Sequence, residues 1–180
     1  MKIGVIADTH VPRHQGCLPT KVQRAFAGVD IILHVGDVCT LDVLRQLQNS
    51  FTITLAVSGE RDDQAVRQYL ETRRVVEFAN RRIGLIHGHA TQPAPWWRRL
   101  LDRGTSRAEE TVRQQVLGAF EGVHCVVYGH THRPYVKMHG SVLLFNPGPA
   151  APIDGQRPSV GLLDMGGRTI IGRIIYLDEI

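Results

Sequence analysis

The stretch Met1-Lys2-Ile3-Gly4-Val5-Ile6-Ala7-Asp8-Thr9-His10 decides the fold. Lys2 to Ala7 is short, apolar and β-branched, as a strand buried on both faces requires, and it ends abruptly in polar residues. The same pattern returns twice. Asp30 to Val35 leads into Gly36-Asp37, and Phe51 to Val57 leads into Ser58-Gly59-Glu60. Between these strands, Leu18 to Ala27 carries apolar residues at 18, 22, 25 and 26, a helical spacing with Pro19 near its start. Thr40 is placed to cap a helix with Leu41, Leu44 and Leu47 on one face, and Asp62 or Asp63 to cap a helix through Leu70. The order β-α-β-α-β-α predicts parallel strands with helices packed on the sheet.

The rhythm then changes. Val75 to Ala79 and Arg82 to His87 flank Asn80-Arg81 and read as a hairpin. Pro93 and Pro95 break the chain before Trp96-Trp97-Arg98-Arg99, which reads as an amphipathic cover on the core, with a nucleic-acid surface as the rival. Ser106 and Glu109 have the spacing of a capping box for a helix to about Phe120. Short strands follow: Val123 to Tyr128, Tyr135 to His139, Val142 to Phe145, Val160 to Asp164 and Thr169 to Leu177. The expected fold class is α/β, with two stacked mixed β-sheets flanked by α-helices, forming one domain over 1–180.

Composition narrows the function classes. The 180 residues are 43% hydrophobic and 21% charged, which excludes general disorder. No apolar run approaches the roughly 20 residues of a membrane span, and the start lacks a signal peptide's cleavage pattern. Three cysteines without a C-x-x-C spacing suit a reduced cytoplasm. A net charge of +4 is not by itself a nucleic-acid signature. Nine histidines against three cysteines make nitrogen and oxygen ligands plentiful and sulfur ones scarce.

The polar residues gather where strands are expected to end: Asp8 and His10, Gly36-Asp37, Gly59-Glu60, His87-Gly88-His89 and Gly129-His130-Thr131-His132. Ligands of open α/β sheets bind at the carboxyl ends of strands, so three carboxylates and five histidines face one rim. Mixed carboxylate and imidazole donors suit Mn²⁺, Fe²⁺, Zn²⁺ or Ni²⁺. The donors are too many for one ion and about right for two, an arrangement suited to displacement at phosphorus.

These five motifs, in this order from Asp8-Thr9-His10 to Asn146-Pro147-Gly148, resemble the calcineurin-like metallophosphoesterases, especially the small bacterial and archaeal phosphodiesterases. The resemblance implies a dinuclear centre. Asp8, His10, Asp37 and His132 would hold one metal, and Asp37 would bridge to a second held by His87, His130 and position 60. A metal-activated hydroxide would then hydrolyse a phosphodiester, with Mn²⁺ the favoured ion. The family turn normally reads Gly-Asn, whereas this chain has Gly59-Glu60. Glu60 adds a negative charge and lacks an amide donor. It either ligates the second ion or swings out and leaves that site weak. Arg61 stands where many members carry a histidine acid; it could clamp a phosphate, or be only a solvated helix-start arginine. His89 is the better proton donor of the set, with a supporting hydrogen-bonding role as the rival.

Among the remaining histidines, His34 reads as a buried supporting residue, while His14, His124 and His139 read as surface or loop positions. Arg13 reads as exposed. Asn146-Pro147-Gly148 reads as a tight turn, placed near the metals by the resemblance. The expected partner is a phosphate-ester substrate, nucleic acid being one candidate, with no membrane and with homo-oligomerisation open. A scaffold of the same fold with an altered metal site, as in a retromer subunit, and a phosphomonoesterase are the alternatives.

Overall fold

The computed structural model describes residues 1–11, 18–51, 53–89, 106–153, 155–167 and 169–180. Trp96, Trp97, Arg98, Arg99, Arg13, His14, Cys17 and the side chain of Ser106 lie outside the described residues.

Three parallel strands, β1 (Lys2–Ile6), β2 (Ile31–Val35) and β3 (Thr54–Val57), alternate with α1 (Thr20–Ala25), α2 (Leu41–Ser50) and α3 (Gln64–Tyr69). The hairpin follows as β4 (Arg73–Phe78) and β5 (Arg81–Ile86), turning through Ala79 and Asn80, both at positive φ. Then come α4 (Ser106–Gly118), β6 (Cys125–Val127), β7 (Tyr135–His139), β8 (Val142–Asn146), β9 (Ser159–Asp164), β10 (Ile171–Tyr176) and a closing 3₁₀ turn, Leu177–Glu179. One sheet has the order β10-β9-β1-β2-β3 and the other β4-β5-β6-β8-β7.

The two sheets face each other. Ile3, Val5, Ile31, Leu33 and Val35 of the first pack with Ile83, Leu85, Val127 and Phe145 of the second. Alternate residues point outward, where Ile6 and Ile32 meet Val22, Phe26, Val43, Leu44, Leu47 and Val66 of the helices. Val126 and Leu144 on the other outer face meet Val116 of α4. Burial on both faces accounts for the unbroken apolar runs of β1 and β2.

Three expectations change. The second half is less hairpin-dominated than its short strands suggest, because β5, β6 and β8 run parallel. Helix α4 joins β5 to β6, and β7 lies outside β8, so local sequence order hid the pairing. The strand expected over 123–128 shortens to Cys125–Val127. Thr40 precedes α2 without a side-chain cap bond, whereas Asp63 caps α3 by accepting from Val66 N at 2.8 Å.

Candidate metal centre

The carboxyl ends of β1, β2, β3, β5 and β6 converge on one rim, and backbone bonds lace their loops together. Asp8 N donates to Gly36 O, His10 N to Asp37 O and Gly129 N to His87 O. Five of the eight non-glycine residues with positive φ among the described residues are Asp8, His10, Asp37, His130 and His132. Each left-handed residue costs of order 1–3 kcal/mol, so the surrounding structure must over-determine these turns. The gain is direction, since a strand that would otherwise run straight on turns sharply and aims its side chain into the rim.

Asp8, His10, Asp37 and His87 are buried, and His132 nearly so. Ligand atoms of Asp8, His10 and His132 lie within 4.8 Å of one another, as do those of Asp8, Asp37 and His87. The two clusters share Asp8. Its Oδ1 lies 3.5 Å from His132 Nε2, 3.8 Å from His10 Nε2 and 3.9 Å from His87 Nε2. Asp37 also stands between the halves, 3.6 Å from His10 Nε2 and 3.4 Å from His87 Nε2. Asp8 accepts from His130 N, and Asp37 Oδ1 from Arg61 N at 2.8 Å.

His130 and Glu60 stand apart from these two clusters as a pair at the rim, with Nδ1 and Oε1 3.6 Å apart and the Glu60 side chain 41% exposed. Glu60 Oε1 is also 4.0 Å from Arg61 Nε, which lies 3.8 Å from Asp37 Oδ2. His89 is half-buried on the same side, its ring 5.5 Å from that of His87.

The donors fit divalent ions. His87 Nδ1 must donate to Val35 O at 2.8 Å, because a carbonyl only accepts, and Nε2 is thereby turned into the cluster. That buried Nε2 has no hydrogen-bond partner of good geometry. Burial alone would lower the His87 pKa, yet Asp37 and Asp8 push it up to about 9. Burial works to raise both aspartates, but His132 and His87 hold Asp8 below the usual range and His87 holds Asp37 there. Burial lowers His10 to about 4, and it also lowers His130 and His89. Two ionised carboxylates facing imidazole nitrogens form a nitrogen–oxygen ligand set of the kind Mn²⁺, Fe²⁺, Ni²⁺ and Zn²⁺ accept.

Several supporting residues escaped the sequence reading. Asp62 is a buried clamp rather than the cap: it accepts from Gly59 N at 2.6 Å and Cys39 N at 2.7 Å, joining the β2 and β3 loops. Asn146 Nδ2 donates to Gly129 O and to Thr131 Oγ1, bracing the loop that carries His130 and His132. Its signal was present in Asn146-Pro147-Gly148, but its partners are distant in sequence. His34 is fully buried beside Thr9 Oγ1, which donates to Asp37 O, so it does support the site from behind. His124 instead accepts from Arg82 N, and His139 pairs with Tyr135.

Gly36 shows how closely the backbone approaches. It sits at φ +94°, and a Cβ there would lie 2.6 Å from His87 Nδ1. Gly36→Ala is expected to destabilise the metal-free protein by about 2–4 kcal/mol, from left-handed strain plus overpacking. It should also weaken Mn²⁺ binding by moving His87. Thermal melts and a Mn²⁺ titration check both effects, and a wild-type melt would contradict them.

The family model for the calcineurin-like phosphoesterase superfamily domain matches residues 1–168. The chain belongs to this superfamily. Within the superfamily, the chain is 33% identical to a "probable metallophosphoesterase" of Methanothermobacter thermautotrophicus over 178 residues, 97% of this chain and 92% of that one. It is 34% identical to another from Methanocaldococcus jannaschii, covering 84% and 70%. Solved structures share the phosphoesterase fold at lower identity. An archaeal phosphodiesterase superposes with TM-score 0.68 at 20% identity, covering 97% of this chain and 100% of that one. Vps29 from Chaetomium thermophilum gives 0.72 at 18%, covering 97% and 92%. Zn²⁺-complexed Vps29 from Entamoeba histolytica gives 0.69 at 23%, covering 98% and 99%.

Proposed function

We propose that this phosphoesterase-family chain is a metal-dependent phosphodiesterase of the cytoplasm. The observation that carries the reading is the pair of buried clusters sharing Asp8, with His87 Nε2, which makes no hydrogen bond of good geometry, aimed into one of them. Asp8, His10, Asp37, His87 and His132 would hold the ions, with His130 and Glu60 completing the second site. Two divalent ions, Mn²⁺ foremost, would supply Lewis-acid neutralisation of the charge that develops on the phosphoryl oxygens.

The chain's own side chains do the rest. Arg61 offers guanidinium donors to a phosphoryl oxygen from beside Asp37. Burial lowers the pKa of His89 and so disfavours its imidazolium. His89 is therefore a poor proton donor to a leaving oxygen and a better acceptor at Nδ1, which has no partner. A site that offers an arginine fork and an imidazole whose charged form burial disfavours suits substrates whose leaving group departs unprotonated. The archaeal phosphodiesterase of the same fold supports a diester substrate.

Glu60 is the lever. Its carboxylate adds a negative charge where the phosphate must come, so Glu60→Asn should raise kcat/KM for bis(p-nitrophenyl) phosphate by about fivefold, as expected for one partly screened charge. Metal content and turnover are measured together. Two ions per chain with Mn²⁺-dependent hydrolysis support the phosphodiesterase. A second reading, a protein-binding scaffold, draws on the exposed Glu60 and on the Vps29 neighbours. It is favoured if metal stays well below two per chain and no diester turns over.

A further inference from the structure

Among the described residues, β4 and β7 form the two edges of the second sheet. An edge strand shows a row of unpaired backbone N–H and C=O groups, which pair with another strand unless something blocks the approach. The residues of β4 alternate across the sheet. Val76 and Phe78 turn into the core between the sheets, whereas Arg73, Val75 and Glu77 share the outward face and are all exposed. Val75 alone leaves 41% of its surface in solvent. Neither the Arg73 nor the Glu77 side chain forms a hydrogen bond or ion pair among the described residues. Arg82 lies opposite Glu77 on β5, but its guanidinium donates to Gly122 O at 3.1 Å instead.

The outward order along β4 is cation, apolar, anion, each two residues from the next, and it is complementary to its own reverse. Let two copies of β4 run antiparallel about a two-fold axis perpendicular to the sheet through Val75. Arg73 of each then lies opposite Glu77 of the other, and the two Val75 side chains meet between the ion pairs. Side chains directly opposite on neighbouring strands are close enough to pair, and like charges there repel. The neighbouring registers are worse. An axis through Arg74 sets two arginines against each other, and one through Val76 sets Glu77 against Val75 and loses both ion pairs. β7 is centred on Lys137, which would oppose itself in the same arrangement. We propose that β4 is a self-association surface whose partner is a second copy of this chain, so that the second sheet continues unbroken across the dimer. No residue of β4 belongs to the metal centre, so the dimer stands whether or not the protein hydrolyses a diester. Six residues a side is a small contact beside the roughly 1,600 Å² of a standard complex, so the dimer should dissociate on dilution.

Sedimentation velocity across the micromolar range tests the pairing. Wild-type protein should pass from monomer to dimer as concentration rises. Arg73→Glu sets glutamate against glutamate twice, and Glu77→Arg sets arginine against arginine twice, so each should raise the dissociation constant by about tenfold or more. An equimolar mixture of the two variants puts opposite charges together at both positions and should restore dimerisation to near the wild-type level. A wild type that stays monomeric throughout, single variants that dimerise as the wild type does, or a mixture that fails to recover would each overturn the proposal. Both positions are exposed, so the variants should melt as the wild type does. Hydrogen exchange reads the same contact without a substitution. In the wild type, the free-side amides of β4 should exchange about fivefold more slowly at high concentration than at low, and an unchanged rate there overturns the proposal as well.

Discussion

Asp8→Asn should abolish metal-supported hydrolysis, lowering kcat by on the order of 10³-fold, and should do so more severely than Asp37→Asn. The ordering follows from the geometry. Asp8 belongs to both clusters, whereas Asp37 belongs to one and only borders the other. The buried Asp8 carboxylate also accepts from His130 N, so the amide loses charge and disturbs the loop that carries His130. Metal analysis of the purified variants is the sharper readout. Asp8→Asn should retain well under one ion per chain and Asp37→Asn should retain more. The reverse order would make Asp37 the shared ligand, as the family resemblance implies. Full metal content with full turnover in both would end the metal-centre reading.

Metal affinity should rise steeply with pH, by about tenfold per unit from pH 6.5 to 8.5, and flatten above 9. The cause is His87. Its imidazolium lies between Asp8 and Asp37, beside the His89 and His130 rings, and is held up to about 9. A metal must displace that proton, because only neutral imidazole ligates. His10, lowered to about 4, is already neutral and adds no slope in this window. Mn²⁺ titrations across pH would show the slope, and its absence would mean that His87 is neutral in the metal-free protein.

The same shifts predict an opposite signature in metal-free stability. A raised histidine contributes stability that is present below pH 6.5 and lost as pH rises to about 9, which is the His87 case. His10 and His34, lowered to about 4 and about 3 by burial, contribute stability that is present above pH 6.5 and lost as pH falls. Metal-free protein should therefore melt highest near pH 6.5, as far as these three groups decide it.

Much of the candidate site was legible because each candidate donor follows a short apolar run. Asp8, His10, Asp37, His87, His130 and His132 were each marked by a strand that stops in a polar pair. The hairpin was equally local, read with its turn at Asn80-Arg81 and found turning one residue earlier through Ala79-Asn80, and of the two caps read, Asp62 or Asp63, Asp63 is the one. The roles of Asp62 and Asn146 were not legible. Asp62 clamps two loops by accepting their backbone N–H groups, and Asn146 braces a loop from 15 and 17 residues away. None of these partners shows in the periodicity of the segment that carries the residue.

What the sequence by itself determined was the alternation of buried strands and amphipathic helices, and the list of donors at the strand ends. Both depend on near neighbours, since hydrophobic period and turn chemistry are properties of a few consecutive residues. Only the tertiary structure decided how those donors group. It placed Asp8 in both clusters, drew His130 and Glu60 into a pair at the rim, and put β4 at the edge of its sheet. It also set Asp8, His10, Asp37, His130 and His132 in left-handed turns, against the preference of any non-glycine residue. The physical reason is that two facing sheets bring together strand ends more than a hundred residues apart, and their packing and interlaced loops hold conformations that no local segment would choose.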